Sequence, residues 1–365
     1  MDCTVNIAVK HQIFAQTLSF ITDMLGVILI VLGGYFVITS GGKEGVWQLT
    51  LGELAAFSSM RNMLANPLKS LGTVINDLQR FMASADKVME IFYSHPIIHD
   101  RNDCVDTEKR LEGRIKFDHV SFSYGDRKVF NDISFEIEPG ETVAIMGPTG
   151  SGKTALVNLL CRMYEPDSGH IYIDGTDLHM WKLSKLHSSI GVAMQDVFLF
   201  SDTIKGNIAY GAPDMEESDI EEYSKVADAH EFIDGLDEKY ETIVGERGVG
   251  LSGGQKQRIS LARALAVKPP ILVLDDTTSA VDMETEKRIQ DALEALDFDC
   301  TKIIIAQRIS SVRRANRIFI LNGGRLEIGT HESLSSRPGY YREICRLQNV
   351  SDLPVIEGEK EVLSQ

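Results

Sequence analysis

The hydrophobic pattern of this chain changes character twice. From Met24 to Gly42 the run MLGVILIVLGGYFVITSGG carries no charge, and about 20 apolar residues let a helix cross a bilayer. A secretory signal and a buried soluble helix are competing readings. Asp23 abuts the run, a long segment precedes it and no small-residue cleavage site closes it, which counts against a signal. The pattern predicts a membrane helix over about 13–40. After the loop GKEGVWQ, Leu51 to Phe92 predicts a second long helix, with Glu53, Arg61, Asn62, Asn66, Lys69 and Asn76 along it. Such side chains do not face lipid cheaply, so this helix is expected to face a bundle interior or cavity. Its later part, from Ile75, has the spacing of an amphipathic helix extending into the cytoplasm.

A charged linker, His95 to Gly113, separates this region from a different rhythm. Ile115 to Tyr124 and Ile133 to Ile137 alternate apolar and polar residues, and Pro139-Gly140 marks a turn. Strand-like and helix-like runs then alternate to about Leu347, the βαβ rhythm of a parallel sheet flanked by helices. The expected organisation is a helical membrane segment over 1–92, a linker over 93–113, an α/β domain over 114–347 and a polar, poorly ordered tail over 348–365.

The 365 residues allow about two domains of roughly 150 residues, and a hydrophobic share of 43% supports a sizeable core. A net charge of −16 argues against nucleic acid as a partner, because such binders present basic patches. Cys3, Cys104, Cys161, Cys300 and Cys345 are far apart and lack metal-ligand spacing, so they read as free thiols in a reducing compartment.

The candidate chemistry begins at Gly147, Pro148, Thr149, Gly150, Ser151, Gly152, Lys153 and Thr154, which fit GxxxxGK[ST]. Average residue usage gives this pattern by chance in roughly one chain in a hundred of this length. Thr142 to Met146 reads as a buried strand before it, and Ala155 to Leu160 as a helix after it, which is the setting a phosphate cradle needs. Glycines let backbone N–H groups converge on a phosphate, and the helix N-terminus adds partial positive charge. Lys153 is expected to reach the β- and γ-phosphates of ATP, and the Thr154 hydroxyl to bind Mg2+. Ile271 to Leu274 reads as a central strand ending in Asp275 and Asp276. Asp275 is expected to hold Mg2+ and Asp276 to sit beside the γ-phosphate.

Leu251-Ser252-Gly253-Gly254-Gln255, extended as LSGGQKQR, resembles the signature of the ATP-binding cassette (ABC) family. Ser252 is placed to cap the helix through Gln257 to Leu265. The resemblance implies a P-loop α/β fold: a mostly parallel core sheet with an antiparallel β subdomain and a helical subdomain. It implies that Ser252, Gly253, Gly254 and Gln255 meet ATP held by a partner subunit. Tyr124 resembles the aromatic that stacks on adenine, Gln195 the glutamine that reaches Mg2+ and the attacking water, and Ser279 to Asp282 the D-loop. Val244 to Gly248, VGERG, resembles an exporter segment that touches coupling helices.

GGYFVITSG, LTLGELAAF and Pro67 within a long helix look like the last two membrane helices of an exporter half-transporter. Such halves normally carry six, so the chain is expected to be a fragment, a truncated reading frame or one piece of a split gene. The implied setting is a multi-pass cell-membrane protein with its nucleotide domain in the cytoplasm, exporting a small molecule.

Two positions depart from the family. Asp276 stands where Glu is usual, one methylene shorter, for a group that orients or deprotonates water. Gln307, in Ile303-Ile304-Ile305-Ala306-Gln307-Arg308, stands where the family has a switch histidine, and it cannot become cationic. With an intact signature, this combination predicts the weakly hydrolytic subunit of a heterodimer whose partner supplies Glu and His. A homodimer with two slow sites and a nucleotide-binding regulator with little turnover are the alternatives. A soluble ABC ATPase is disfavoured by the apolar run and by VGERG.

Overall fold

The computed structural model describes residues 2–39, 49–94, 96–245, 248, 250–348 and 350. The chain divides into two compact units, Met1–Pro96 and Ile97–Gln365.

The first unit is a pair of helices, α1 (Asp2–Thr39) and α2 (Leu51–Phe92). Helix α1 starts well before the expected position near residue 13, because neither Gly nor Pro interrupts Asp2 to Met24. Gly26 and Gly33 lie seven residues apart (33 − 26) and so share a face. A Cβ at Gly33 would stand 2.3 Å from Leu54 Cδ1, so glycine permits the close approach of α2 there. Helix α2 opens with a capping box: Glu53 N–H donates to the Thr50 hydroxyl at 3.2 Å and Thr50 N–H to the Glu53 carboxylate at 2.9 Å. It continues helical through Pro67. Phe20, Leu25, Val27, Ile30, Val31 and Ile38 of α1 are exposed. Among the described residues no helix is long and apolar enough to cross a membrane. The expected loop GKEGVWQ lies outside the described residues.

The second unit begins with β1 (Ile115–Tyr124) and β2 (Arg127–Ile137), followed by β3 (Thr142–Met146), α3 (Lys153–Leu160), β4 (Ser168–Ile173) and β5 (Thr176–Asp177). Then come α4 (Leu183–Ser189), β6 (Ile190–Ala193), β7 (Asp202–Thr203), α5 (Ile204–Ile208), α6 (Glu217–Val226), α7 (His230–Asp234) and β8 (Ile243–Val244). Helix α8 (Gly253–Ala266), β9 (Ile271–Asp275), α9 (Met283–Glu294), β10 (Thr301–Ile305), α10 (Ile309–Val312) and β11 (Arg317–Asn322) follow. The last elements are β12 (Arg325–Gly329), α11 (His331–Ser335) and α12 (Tyr340–Leu347).

Among the described residues, one sheet is antiparallel in the order β2-β1-β4-β5, and its core is aromatic, with Phe117 stacked on Phe135 at 4.5 Å. The main sheet has the order β12-β11-β3-β10-β9-β6, and only β12 runs antiparallel. Two of its central strands are continuous apolar runs because both faces are covered: Val143 to Met146 and Ile271 to Leu274 are buried throughout. A helical region packs Ile208, Ile220 and Tyr223 against Ile259 and Leu265 of α8. Parallel strands point the same way, so β3, β6, β9 and β10 all end on one edge of the sheet. Ligands in open α/β sheets bind at that edge.

Within the segment expected as a tail, Gln348 donates its N–H to Ile344 O and Val350 its N–H to Cys345 O, each at 3.0 Å. Residues 351–365 of the expected tail lie outside the described residues.

Candidate functional site

Strand β3 is buried to Met146 and the chain then turns tightly. Gly147 adopts φ 156°, and a Cβ there would stand 2.1 Å from the Leu321 carbonyl oxygen. Gly152, the N-cap of α3, has φ 104°, and its Cβ would meet Val129 Cγ1 at 2.5 Å and Phe130 Cε1 at 2.7 Å. Both positions therefore require glycine. Ser151 N–H closes the turn on Pro148 O at 3.1 Å. No side chain caps α3, and the first N–H groups of a helix have no partner within the helix itself. Lys153 Nζ donates to Gly147 O at 2.8 Å and Pro148 O at 3.0 Å, holding the cation over the loop.

A cavity of about 450 Å³ opens beside this loop. The structure brings to it Tyr124, Thr149, Gly150, Gly152, Lys153, Thr154, Gln195, Asp275, Asp276 and Gln307. Gly147, Pro148 and Ser151 belong to the loop but not to the lining. Ser151 is buried, and its hydroxyl is without a hydrogen-bond partner. Arg127 and Val129 also line the cavity. Sequence reasoning misses them because it starts the second strand at Ile133, whereas β2 begins at Arg127, paired with Tyr124.

Burial pushes the Asp275 carboxyl above its usual value; Asp276 adds to the shift and Lys153 opposes it. Asp276 is raised too, by burial, with Arg308 and Lys153 opposing and Glu286 adding. Burial pulls Lys153 down against the attraction of both carboxylates. Two adjacent, partly desolvated acids that share the attraction of one lysine would be relieved by a further cation. Among the described residues no cluster of three His, Cys, Asp or Glu side chains could hold a metal. The oxygens of Thr154, Asp275 and Gln195, which line this cavity, are a donor set that suits Mg2+, which takes one or two protein oxygens and completes its shell with phosphate and water. The glycines a Cβ would obstruct, the unpartnered Ser151 hydroxyl and the oxygens of Thr154, Asp275 and Gln195 thus fit Mg2+ with a nucleotide.

Asp276 has φ 51°, a left-handed conformation that Asp tolerates better than most residues. Its carbonyl oxygen accepts from the Ser279 hydroxyl at 2.8 Å and from Gln257 Nε2 at 3.4 Å. Gln257 Oε1 accepts from Ala280 N–H at 3.2 Å, so α8 grips the segment after Asp276. Arg308 grips the same segment from the other side, donating to Ser279 O at 2.9 Å and Val281 O at 3.3 Å. Neither residue is singled out by sequence.

Tyr124 ends β1 half open to solvent. Its ring meets Phe122 and Tyr164 edge-on at 4.8 and 5.0 Å, and its hydroxyl accepts from Asn158 Nδ2 at 3.3 Å. Ser252, Gly253, Gly254 and Gln255 do not line the cavity. They form the start of α8, exposed at Ser252 and Gly253 and half-buried at Gly254 and Gln255, where Ser252 and Gln255 make a capping box with bonds of 2.8 and 3.3 Å. Within VGERG, Glu246 and Arg247 lie outside the described residues.

Residues 130–279 match the family described as ABC transporter. An ABC transporter ATP-binding protein of Bacillus subtilis, YknU, is 42% identical over 348 residues, covering 94% of this chain and 58% of that protein. An ATP-dependent lipid A-core flippase of Syntrophus aciditrophicus is 41% identical over 325 residues, covering 89% of this chain and 53% of the relative. A solved bacterial Atm1-family ABC exporter with ATP bound superposes with a TM-score of 0.74 at 34% identity, covering 95% of this chain and 60% of that one. The chain spans little more than half the length of these relatives.

Proposed function

We propose, on the premise that the second unit carries an ABC transporter ATP-binding domain of the exporter type, that this chain binds Mg·ATP and couples it to export of a small molecule across a membrane. The observation that carries the reading is the convergence of four parallel strand ends on one cavity: the loop after β3, Gln195 after β6, Asp275 and Asp276 at β9, and Gln307 after β10.

In this reading Tyr124 stacks on adenine, the loop from Gly147 to Thr154 holds the phosphates, and Lys153 leaves the Gly147 and Pro148 carbonyls for phosphate oxygens. Thr154, Asp275 and Gln195 would hold Mg2+, which neutralises charge developing on the phosphates. Asp276 orients the attacking water or accepts its proton, and Gln307 donates to the γ-phosphate. Asp is short for that task, and a displacement near 1 Å costs about a hundredfold in rate. Gln307 offers a neutral amide where a cation would stabilise charge better. This site therefore holds ATP and turns it over slowly.

The signature lies off the cavity at an exposed helix start, where it is available to a second subunit's nucleotide. The pairing proposed is a heterodimer whose other chain supplies Glu and His. The exposed apolar side chains of α1 and the uncharged run from Met24 to Gly42 support a membrane location for the first unit, with the nucleotide unit in the cytoplasm. The deciding experiment is ATP titration of the chain and of Lys153→Ala. Equal affinities would remove the basis of the proposal.

A further inference from the structure

Helix α12 is anchored in the core. Tyr341 and Cys345 are buried in one cluster with Met146, Ala306, Ile309 and Val312, and the Tyr341 hydroxyl is 2.7 Å from His331 Nδ1. The Gln348 N–H bond to Ile344 fixes where its side chain leaves the helix end. That side chain reaches back 41 positions. Its Nε2 donates to Gln307 O at 2.8 Å, and its Oε1 accepts from Ile309 N–H at 2.8 Å. The two bonds run in opposite senses, so a reversed amide would set donor against donor and acceptor against acceptor.

These bonds bracket Arg308, which holds the carbonyls of Ser279 and Val281. The segment from 307 to 309 is thus fixed from behind. Gln307 lines the cavity beside Lys153, whereas Arg308, Ile309 and Ser310 line a second cavity, of about 1240 Å³, together with Gln348. A neutral amide donor gains most from being held in place before its acceptor arrives.

We propose that Gln348 is a positioning residue for Gln307, so that the end of the last helix sets how well this site distinguishes ATP from ADP. The proposal rests on the reading of Gln307 as a γ-phosphate contact. ADP lacks that phosphate, so only ATP affinity depends on where Gln307 points. Loss of the bracket exposes the Gln307 carbonyl and Ile309 amide to water and frees the loop, and a net hydrogen bond of ordinary strength corresponds to about a two- to tenfold change.

The test is titration of the full chain with ATP and, separately, with ADP. Gln348→Ala is expected to weaken ATP about two- to tenfold and leave ADP unchanged. Gln348→Glu keeps the length and the acceptor for Ile309 but cannot donate to Gln307, so it is expected to behave like Gln348→Ala. In a Gln307→Ala background, Gln348→Ala is expected to add nothing, because coupled residues are not additive. Equal loss of ATP and ADP, no loss, or wild-type behaviour of Gln348→Glu overturns the proposal. If Gln307→Ala itself leaves the ATP-to-ADP ratio unchanged, the underlying reading of Gln307 fails, and the positioning role fails with it. If Gln307→Ala lowers the ratio and Gln348→Ala does not, only the positioning role fails.

Discussion

The backbone N–H of Asp276 donates to the carbonyl oxygen of Ile305 at 2.8 Å. Asp276 follows β9 and Ile305 ends β10, so this bond carries the parallel ladder one step past the strand. It holds Asp276 beside the segment that leads to Gln307. The two positions that depart from the ABC pattern are therefore neighbours in space, on one wall of one cavity. In the proposed reading both changes bear on the same step, handling of the γ-phosphate and its water, and neither position belongs to the phosphate loop.

Lys153→Ala is expected to lower ATP affinity by about tenfold to a hundredfold, the range for losing a hydrogen bond to a charged group. Lys153 is the cation that bonds the loop carbonyls and feels both Asp275 and Asp276. Isothermal titration measures it directly.

Tyr124→Ala is expected to weaken ATP by ~1–3 kcal/mol, the value of one base–aromatic stack, and Tyr124→Phe to leave binding almost unchanged. Among the described residues the hydroxyl has only the long, exposed bond from Asn158 to lose. If both variants bind ATP alike, Tyr124 serves packing with Phe122 and Tyr164 instead.

Glu141→Gln is expected to destabilise the chain near neutral pH by about 1 kcal/mol, or a few degrees in Tm. Glu141 accepts from Arg317 Nη2 at 2.6 Å and from Glu138 N–H at 3.0 Å. Burial alone would raise its carboxyl, but the Arg317 bond, the Glu138 N–H and the Arg317 charge together leave it below the usual value. A carboxyl depressed in the folded state stabilises above its unfolded pKa and loses that contribution as pH falls through the folded value. The gap between wild type and variant should narrow as pH falls through the carboxylate range. A gap constant from pH 7 to pH 3 would contradict this assignment.

What the sequence makes legible follows from which signals are local. Val143 to Met146 and Ile271 to Leu274 read as strands because buried parallel strands are unbroken apolar runs. The start of β2 is not legible, since Arg127 and Lys128 lie on the turn side of the apolar alternation. The early start of α1 is also hidden, because a membrane criterion locates apolarity and not helix ends. Among side chains, those within short motifs stand out: Lys153, Thr154, Asp275 and Asp276. Gln257, Arg308 and Gln348 do not, because their partners lie 22, 29 and 41 positions away. No local spacing encodes such pairings.

A final prediction separates an asymmetric pair from a symmetric one. In the proposed reading ATP binding rests mainly on Tyr124, the loop from Gly147 to Thr154 and Lys153, with Gln307 adding a contact to the γ-phosphate, whereas turnover rests on Asp276 and Gln307. If this chain holds ATP but hydrolyses it slowly, most turnover belongs to a second site, completed by Ser252 to Gln255 of this chain. Asp276→Asn removes a group that already contributes little, so in the full chain with its partner most ATPase activity is expected to remain. Ser252→Arg puts bulk and charge at the exposed start of α8 and removes the hydroxyl that caps Gln255 N–H. Loss of that cap costs about 1 kcal/mol of helix stability, so Ser252→Ala serves as the control for folding. Ser252→Arg is expected to abolish most turnover and Ser252→Ala to retain much of it. The reverse result, with Asp276→Asn inactive and Ser252→Arg harmless, would mean that this chain's own site carries the chemistry. Loss of activity in both Asp276→Asn and Ser252→Arg would point to two equivalent slow sites in a homodimer, in which every cavity uses Asp276 and every signature serves its neighbour.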